Sequence, residues 1–151
     1  MISVRAARAD EAAVLAEVHR QAFDDPWTGE EIATLIVGLG AFALVADLDG
    51  AVAGFILCRV AADESEVLTL ATRPHARRMG VGSALLVMAK TAALAGGAAT
   101  LFLEVAEDNP AALALYRGHG FRQVGARALY YFRKTGAVAA LIMRADLNRC
   151  D

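Results

Sequence analysis

The sequence predicts one α/β domain, with a mixed and mostly antiparallel central sheet of about six to seven strands and helices on both faces. Apolar segments with helical or strand periodicity follow one another in the order β-α-α-β-β-β-α-β-α-β-β. Asp49-Gly50 stands between two β-type runs and is a strong hairpin signal. No linker, repeat or charge block divides residues 1–151, so we expect a single domain over the whole chain.

Most of the predicted helices have a recognisable first residue. Asp10 and Thr28 are N-cap types, Glu31 completes a capping box with Thr28, and Pro110 suits a first helical turn. The predicted helices cover Glu11–Phe23, a short segment from Thr28 to Gly38 or Gly40, Gly82–Ala95 and Ala111–Gly118. The predicted strands are Ile2–Ala6, Phe42–Asp47, Val52–Val60, Glu66–Thr72, Thr100–Val105, Phe121–Val124 and Ala137–Met143.

Composition and charge exclude several classes of protein. With 15 Lys and Arg against 17 Asp and Glu, the net charge of −2 argues against a broad nucleic-acid or membrane-binding surface. Although 57% of residues are hydrophobic, charge or glycine interrupts every apolar stretch well before the ~20 residues that span a bilayer. The first residues lack the pattern of a secretory signal, so we expect a cytoplasmic protein. Cys58 and Cys150 have no metal-binding spacing, which argues against a disulfide or zinc site.

The segment Arg77-Arg78-Met79-Gly80-Val81-Gly82-Ser83, between a strand and a long helix, is typical of an anion-binding turn. Its glycines allow close backbone approach, and the helix that follows begins with free N–H groups and a partial positive charge. Arg77 and Arg78 can add charge-assisted bonds to a phosphate. A Walker loop needs Gly-Lys-Ser/Thr, and a dinucleotide fingerprint needs a small residue where Leu85 stands, so both are excluded. The alternative is a turn that merely joins a strand to a helix.

The spacing Arg77-x-x-Gly80-x-Gly82, within this order of elements, resembles the pyrophosphate-binding motif of the GCN5-related N-acetyltransferases (GNAT). The resemblance covers nearly the whole chain. It is closest to the RimI-type branch, which acetylates the N-terminal alanine of a small-subunit ribosomal protein. Further segments resemble that branch: Phe23-Asp24-Asp25-Pro26-Trp27-Thr28, Leu103-Glu104-Val105, Asp108-Asn109, Ala114-Leu115-Tyr116, Gly120-Phe121 and Tyr130-Tyr131.

The resemblance implies acetyl-CoA as acyl donor, direct transfer in a ternary complex, and no metal. It implies Glu104 as general base and Tyr116 as general acid. It places the donor against the residues that match the family's binding positions: Leu70, Ala71, Thr72, Arg77, Arg78, Met79, Gly80, Val81, Gly82, Ser83, Asn109 and Tyr116.

Each of these side chains also has a structural alternative. Glu104 follows the run Leu101–Leu103, so it lies at a predicted strand end, where it either lines a cleft or is simply solvated. Tyr116 either donates a proton to the leaving thiolate or packs as a core aromatic with a wet hydroxyl. Asn109 precedes Pro110 and suits an N-cap as well as a ligand. Trp27 and Tyr130-Tyr131, on predicted loops, either wall a peptide groove or are partly buried.

The acceptor is the least determined part of the prediction. Relatives in this branch usually carry an acidic Gly-Glu-Asp-Ala segment after the Tyr-Tyr pair, whereas here Gly136 is followed by Ala137–Ala140. Lysine side chains or a small amine therefore stay open beside an N-terminal alanine, and so does a non-catalytic acetyl-CoA-binding module. Six carboxylates on predicted loops favour a basic peptide if they converge: Asp24, Asp25, Asp63, Glu64, Glu107 and Asp108. His19, His75 and His119 are isolated in sequence, and we expect surface or structural roles for them.

Overall fold

A computed structural model describes residues 1–133 and 136–147, whose strands form one seven-stranded sheet. The strand order is β1-β2-β3-β4-β5-β7-β6. The strands are β1 (Ile2–Ala6), β2 (Ala41–Leu48), β3 (Ala51–Ala61), β4 (Glu64–Thr72), β5 (Thr100–Ala106), β6 (Arg122–Arg133) and β7 (Gly136–Asp146). The α-helices are α1 (Ala12–Ala22), α2 (Gly29–Ile36), α3 (Val81–Ala95) and α4 (Pro110–Gly118).

The predicted fold class is confirmed. Every strand pairing is antiparallel except that of β4 with β5. One face of the sheet packs on α3 and α4 through a core that includes Leu85, Leu101 and Leu103. The other face packs on α1 and α2 through Leu15 and Ile32. The sheet therefore has helices on both faces.

Several predicted boundaries are confirmed by local hydrogen bonds. Thr28 accepts from the Glu31 N–H while Glu31 accepts from the Thr28 N–H, so the capping box starts α2 as predicted. Asp49 and Gly50 have φ of 53° and 86°, the paired positive values of a tight hairpin turn between β2 and β3. Pro110 is the first residue of α4.

The start of α1 differs from the prediction, because Asp10 is not its N-cap. A 3-10 turn covers Ala9–Glu11, and α1 begins at Ala12. Glu11 is drawn inward, where its carboxylate accepts two bonds from the Arg5 guanidinium at 2.9 and 2.8 Å and one from the Arg8 N–H. These charge-assisted bonds to β1 are stronger than a cap made by the exposed Asp10.

Strand β6 is longer than predicted and takes in Tyr130-Tyr131, so the predicted loop there is wrong. Antiparallel pairing with β7 continues through Tyr131 opposite Val138, which supplies backbone hydrogen-bond partners that the sequence pattern does not reveal. The side chains of residues 129–133 lie outside the description, and their place beside a peptide groove stays a prediction. Two smaller corrections concern Glu64, which belongs to β4, and Glu104, which lies two residues before the end of β5.

A gap opens in the middle of the sheet. The parallel pairing of β4 with β5 covers Glu64–Glu66 and Thr100–Phe102 and then stops. In the same place Leu68 is an extra residue on β4, because Leu57 pairs with Thr69 while Cys58 pairs with Val67. A bulge of this kind bends the strand that contains it. Beyond Glu66, β4 therefore leaves β5 and opens a cleft.

The structure also bears on the expectations for membrane-spanning helices and for the cysteines. None of the helices in the described ranges is long and apolar enough to cross a bilayer. Cys58 is fully buried on β3, and this burial raises the pKa of its thiol to about 12. Cys150 lies outside the described residues.

Glu11→Gln is expected to destabilise the protein by about 1–2 kcal/mol, because the buried Glu11 side chain loses charge-assisted bonds from the Arg5 guanidinium, which keeps its second charged partner, Asp47, at 2.7 Å. Hydrogen bonds from Arg5 hold the pKa of the Glu11 carboxyl at about 2, well below its usual range. The pair therefore stabilises the fold fully above about pH 4.5, and this stability is lost as pH falls toward 2. Urea unfolding between pH 3 and 7 measures both effects.

Asp10→Asn is the matched control, because the Asp10–Arg8 pair is exposed and contributes about 0–1 kcal/mol. If Glu11→Gln unfolded at the same urea concentration as this control across the pH range, the Arg5–Glu11 pair would not be a stabilising contact.

Candidate active site

The cleft between β4 and β5 presents different side chains on its two faces. Leu103 and Val105 of β5 are buried among the residues that pack on α3 and α4. Because side chains alternate along a strand, Glu104 points to the face covered by α1 and α2. Continuing the parallel register, in which Glu66 pairs with Phe102, places Glu104 level with Leu68, at the bulge.

Two backbone N–H groups of β4 point into the cleft. The Arg73 N–H donates to the carbonyl oxygen of Ala53 on β3 at 2.8 Å, so Arg73 and Ala53 form a hydrogen-bonded pair. Since hydrogen-bonded and non-bonded pairs alternate along an antiparallel ladder, the Leu70 and Thr72 N–H groups face away from β3. Ala71, predicted together with them, directs its own N–H to β3. Of the three β4 residues predicted to contact the donor, Leu70 and Thr72 therefore direct their N–H groups into the cleft, whereas Ala71 uses its N–H to pair with β3.

The turn before α3 has the geometry of an anion cradle. Arg78 and Gly80 have positive φ, 64° and 89°, and Gly80 is the N-cap of α3. Because glycine has no side chain, no N-cap side chain satisfies the N–H groups of the first helical turn, and the positive end of the helix dipole is left for a ligand. Arg77, Arg78 and Met79 are exposed beside it. A pyrophosphate fits this arrangement of charge and donors.

Close packing at this turn depends on two glycines. A Cβ on Gly54 of β3 would lie 2.7 Å from the Ala71 carbonyl oxygen and 2.9 Å from Val81 Cγ1, so only glycine lets α3 begin against β3. A Cβ on Gly82 would lie 3.1 Å from Leu115 of α4. The start of α3 is therefore fixed between β3 and α4.

The predicted residues of α4 lie on the same side of the sheet. Asn109 is the N-cap of α4, and its side-chain oxygen accepts from the Ala112 N–H at 3.2 Å. Tyr116 is half-buried, with its ring 5.9 Å from that of Phe121 in an edge-to-face contact. The Ser83 hydroxyl lies 2.6 Å from His119 Nε2, a bond that joins the start of α3 to the end of α4. Asn109 is thus an N-cap and Tyr116 a packed aromatic, as their structural alternatives predicted. Neither contact prevents the residue from also binding or protonating a substrate.

Glu104 has an unexpected partner. Its carboxylate lies 3.4 Å from the Arg127 guanidinium of β6, which reaches it across β7. Sequence reasoning missed Arg127 because β6 was predicted to end at Val124. The only sequence signal is an arginine three residues before the Tyr-Tyr pair.

The six carboxylates do not converge as one patch. Glu64 pairs with Thr100 at the start of β5, whereas Glu107 and Asp108 follow its other end. Glu107 is also engaged, since its carboxylate accepts from the Ala139 N–H. Asp24 and Asp25 are exposed in the loop between α1 and α2. The condition that the six carboxylates converge is therefore not met, because the parallel pairing of β4 with β5 places Glu64 and Glu107 at opposite ends of the sheet.

His19 is buried on α1, so its structural role is confirmed, but it is not isolated. Its ring stacks between Phe23 and Trp27, with centroid distances of 4.4 and 4.9 Å. Burial lowers the pKa of this imidazole below its usual value, against a smaller opposing effect of Glu31. The sequence signal was a histidine at helical spacing from Leu15 and Phe23 on the apolar face of α1.

Comparison with known proteins identifies the family. The model of the acetyltransferase (GNAT) family matches residues 12–121, well over half of the chain. The chain belongs to the GNAT family. The predicted resemblance and the predicted enzyme class, an acetyl-CoA-dependent N-acetyltransferase, are both confirmed.

Several relatives carry more specific names. The chain is 38% identical over 100 residues to the [ribosomal protein bS18]-alanine N-acetyltransferase of Escherichia coli K12, covering 66% of this chain and 68% of that protein. It is 36% identical over 137 residues to the N-alpha-acetyltransferase RimI of Mycobacterium tuberculosis, covering 87% and 84% of the two chains. The crystal structure of the ribosomal-protein-S18-alanine N-acetyltransferase from Escherichia coli superposes with a TM-score of 0.91 at 28% identity, covering 100% and 97%.

Membership of this family indicates which acyl donor the enzyme uses. GNAT enzymes use acetyl-CoA, and the arrangement of the cradle before α3 and the Leu70 and Thr72 N–H groups fits its pyrophosphate and its amide-containing arm.

Arg77→Gln is expected to raise the KM for acetyl-CoA about tenfold, because one charge-assisted phosphate contact is lost. Arg77 is exposed, so the melting temperature should stay within about 2 °C of the wild type. Arg59→Gln, which removes an exposed arginine from β3, is the control. Steady-state kinetics at two salt concentrations distinguishes the variants, and an equal KM for both would exclude Arg77 from the donor site.

Proposed function

We propose that this enzyme transfers the acetyl group of acetyl-CoA to the N-terminal α-amine of a protein, an alanine of ribosomal protein bS18 or of a similar peptide. The observation on which this rests is the position of Glu104, which faces the open cleft level with the bulge of β4. The names of the relatives support the acceptor. The proposed setting is one domain in the cytoplasm that meets a free protein N-terminus.

The chemistry requires a neutral amine. An α-ammonium has a pKa of about 7.7–8.0 and a lysine of about 10.4, so at pH 7 roughly a tenth of the α-amine is already neutral, against well under a hundredth of the lysine. Glu104, directly or through a water, takes the remaining proton. A moderate base thus suffices for an α-amine acceptor.

The transfer itself uses groups on both sides of the cleft. The amine nitrogen forms a bond to the thioester carbonyl carbon, and the carbon–sulfur bond then breaks. The Leu70 N–H, the cleft-facing donor nearer the level of Glu104, stabilises the oxyanion between these steps, and the Thr72 N–H is left for the arm of the donor. Tyr116 gives its hydroxyl proton to the departing thiolate, a transfer that is only mildly uphill. The attacking nitrogen loses its second proton to water, and the Tyr116 phenolate regains a proton from water. The products are an amide and free CoA, without a covalent acyl-enzyme.

The first experiment compares two acceptors. The enzyme is incubated with acetyl-CoA and either a peptide with a free N-terminal alanine or the same peptide blocked at its N-terminus and containing lysine. Mass spectrometry then locates the acetyl group. Acetylation of the α-amine alone supports the proposal. Acetylation of lysine alone moves the enzyme to the second candidate, an acetyltransferase of lysine side chains, which the missing acidic segment after Gly136 leaves open. Binding without transfer to either peptide contradicts the proposed acceptor.

Glu104→Gln is expected to lower kcat/KM about 10²-fold at pH 7, with a smaller loss above about pH 8, where more of the amine is neutral without help. The pH profile of kcat/KM for the alanine peptide measures this. An equal loss at every pH would assign Glu104 a role other than proton removal.

Tyr116→Phe is expected to lower kcat about 10²-fold and to leave the KM for acetyl-CoA within about threefold, because the ring still packs on Phe121 while the proton donor is gone. A donor with a more acidic thiol leaving group should restore much of the lost rate. If such a donor gave no rescue, Tyr116 would not be the acid.

A further inference from the structure

Both ring nitrogens of the buried His19 are hydrogen-bonded. Nδ1 accepts from the Trp27 backbone N–H, and Nε2 lies 3.1 Å from the Thr69 hydroxyl. Because a backbone N–H can only donate, Nδ1 has no proton, so the neutral ring donates through Nε2 to Thr69. The side chain is only 3% exposed. His19 therefore forms a neutral bridge between the loop after α1 and strand β4.

Aromatic stacking fixes the plane of this bridge. Phe23 and Trp27 both stack on the imidazole, at interplanar angles of 26° and 14°. Both belong to the segment 23–28 that joins α1 to α2, which we call the α1–α2 loop. The loop thus closes around a ring that is itself bonded to the sheet.

The bridge meets the sheet beside the cleft. Thr69 follows the bulge residue Leu68 and pairs with Leu57, which packs on α1 and α2. It therefore lies on the face to which Glu104 points and within about one residue of its level along the strands. The α1–α2 loop is therefore tied to the sheet within about one residue of the level of Glu104 and on the same face.

We propose that His19 is a positioning residue of the acceptor site, which holds the α1–α2 loop against β4 so that Trp27 and the exposed Asp24 and Asp25 border the path of the acceptor peptide to Glu104. This inference rests on the proposed function and deepens it. The loop carboxylates favour an acceptor with basic residues after its N-terminal amine.

The role differs from that of an ordinary core side chain. A packing residue needs no bond to the backbone of a loop, and its loss affects both substrates through the fold. The cradle before α3 lies with the other core, on α3 and α4. Release of the α1–α2 loop should therefore weaken acceptor binding and leave acetyl-CoA binding unchanged.

Thr69→Val tests this with little change in shape, because it removes the acceptor for the Nε2–H and leaves that donor buried and unpaired. The KM for a basic peptide with N-terminal alanine should rise about tenfold, with kcat within about threefold and the KM for acetyl-CoA within about twofold. Thr69→Ser keeps the hydroxyl and should restore the acceptor KM. Thr69→Ala is the second variant if Thr69→Val does not fold.

A second readout needs no activity. Trp27 is the single tryptophan of the chain, so its fluorescence reports the α1–α2 loop alone. Acrylamide should quench Trp27 about twofold more efficiently in Thr69→Val than in the wild type or Thr69→Ser, because exposure of the ring increases when the bridge is lost.

The outcomes separate the two proposals. If the wild type acetylates no N-terminal amine, the proposed function fails, while the quenching comparison still decides whether His19 positions the loop. Unchanged quenching in both Thr69→Val and Thr69→Ala overturns the positioning role. An acceptor KM that stays at the wild-type value, or a KM for acetyl-CoA that rises as much as that of the peptide, overturns it as well.

Discussion

The end of the parallel pairing between β4 and β5 is the constraint on which the rest of the site depends. The two strands bond over Glu64–Glu66 and Thr100–Phe102, and the bulge at Leu68 then turns β4 away. A sheet interior normally satisfies its backbone groups on both sides of each strand, because unpaired buried N–H groups are costly. Here the Leu70 and Thr72 N–H groups face a cleft instead. The fold leaves these donors for a ligand.

The cleft also separates the two substrates by face. The cradle, Asn109 and Tyr116 lie with α3 and α4, whereas Glu104 points to the side of α1 and α2. Under the proposed function, donor and acceptor enter from opposite faces and meet where the strands part, which suits direct attack in a ternary complex. Cys58, the free cysteine among the described residues, is buried with a raised pKa and is unsuited to act as a covalent acyl carrier.

Local signals in the sequence predicted most of the helices and strands, whereas contacts between residues far apart in the sequence could not be predicted from such signals. The Asp49-Gly50 turn, the Thr28 capping box and Pro110 act within a few residues, and all three predictions are confirmed. Asp10 lost its predicted role because Glu11 bonds to Arg5 on another element. The length of β6 depends on β7, and the bridge from His19 to Thr69 joins residues 50 positions apart. The family match supplies the enzyme class, and the geometry divides its candidate residues between the two faces.

The ion pair between Glu104 and Arg127 orients the candidate base without locking it. The carboxylate is 34% exposed and the guanidinium 54%, and their atoms are 3.4 Å apart. A pair as exposed as this contributes about 0–1 kcal/mol, because water screens it and two side chains lose freedom. An incoming ammonium gains a comparable contact with the same carboxylate, so it can displace Arg127 at little net cost. Arg127 thus directs Glu104 toward β6. Under the proposed function, the acceptor ammonium takes the place of Arg127, so that its proton lies beside the carboxylate proposed to remove it.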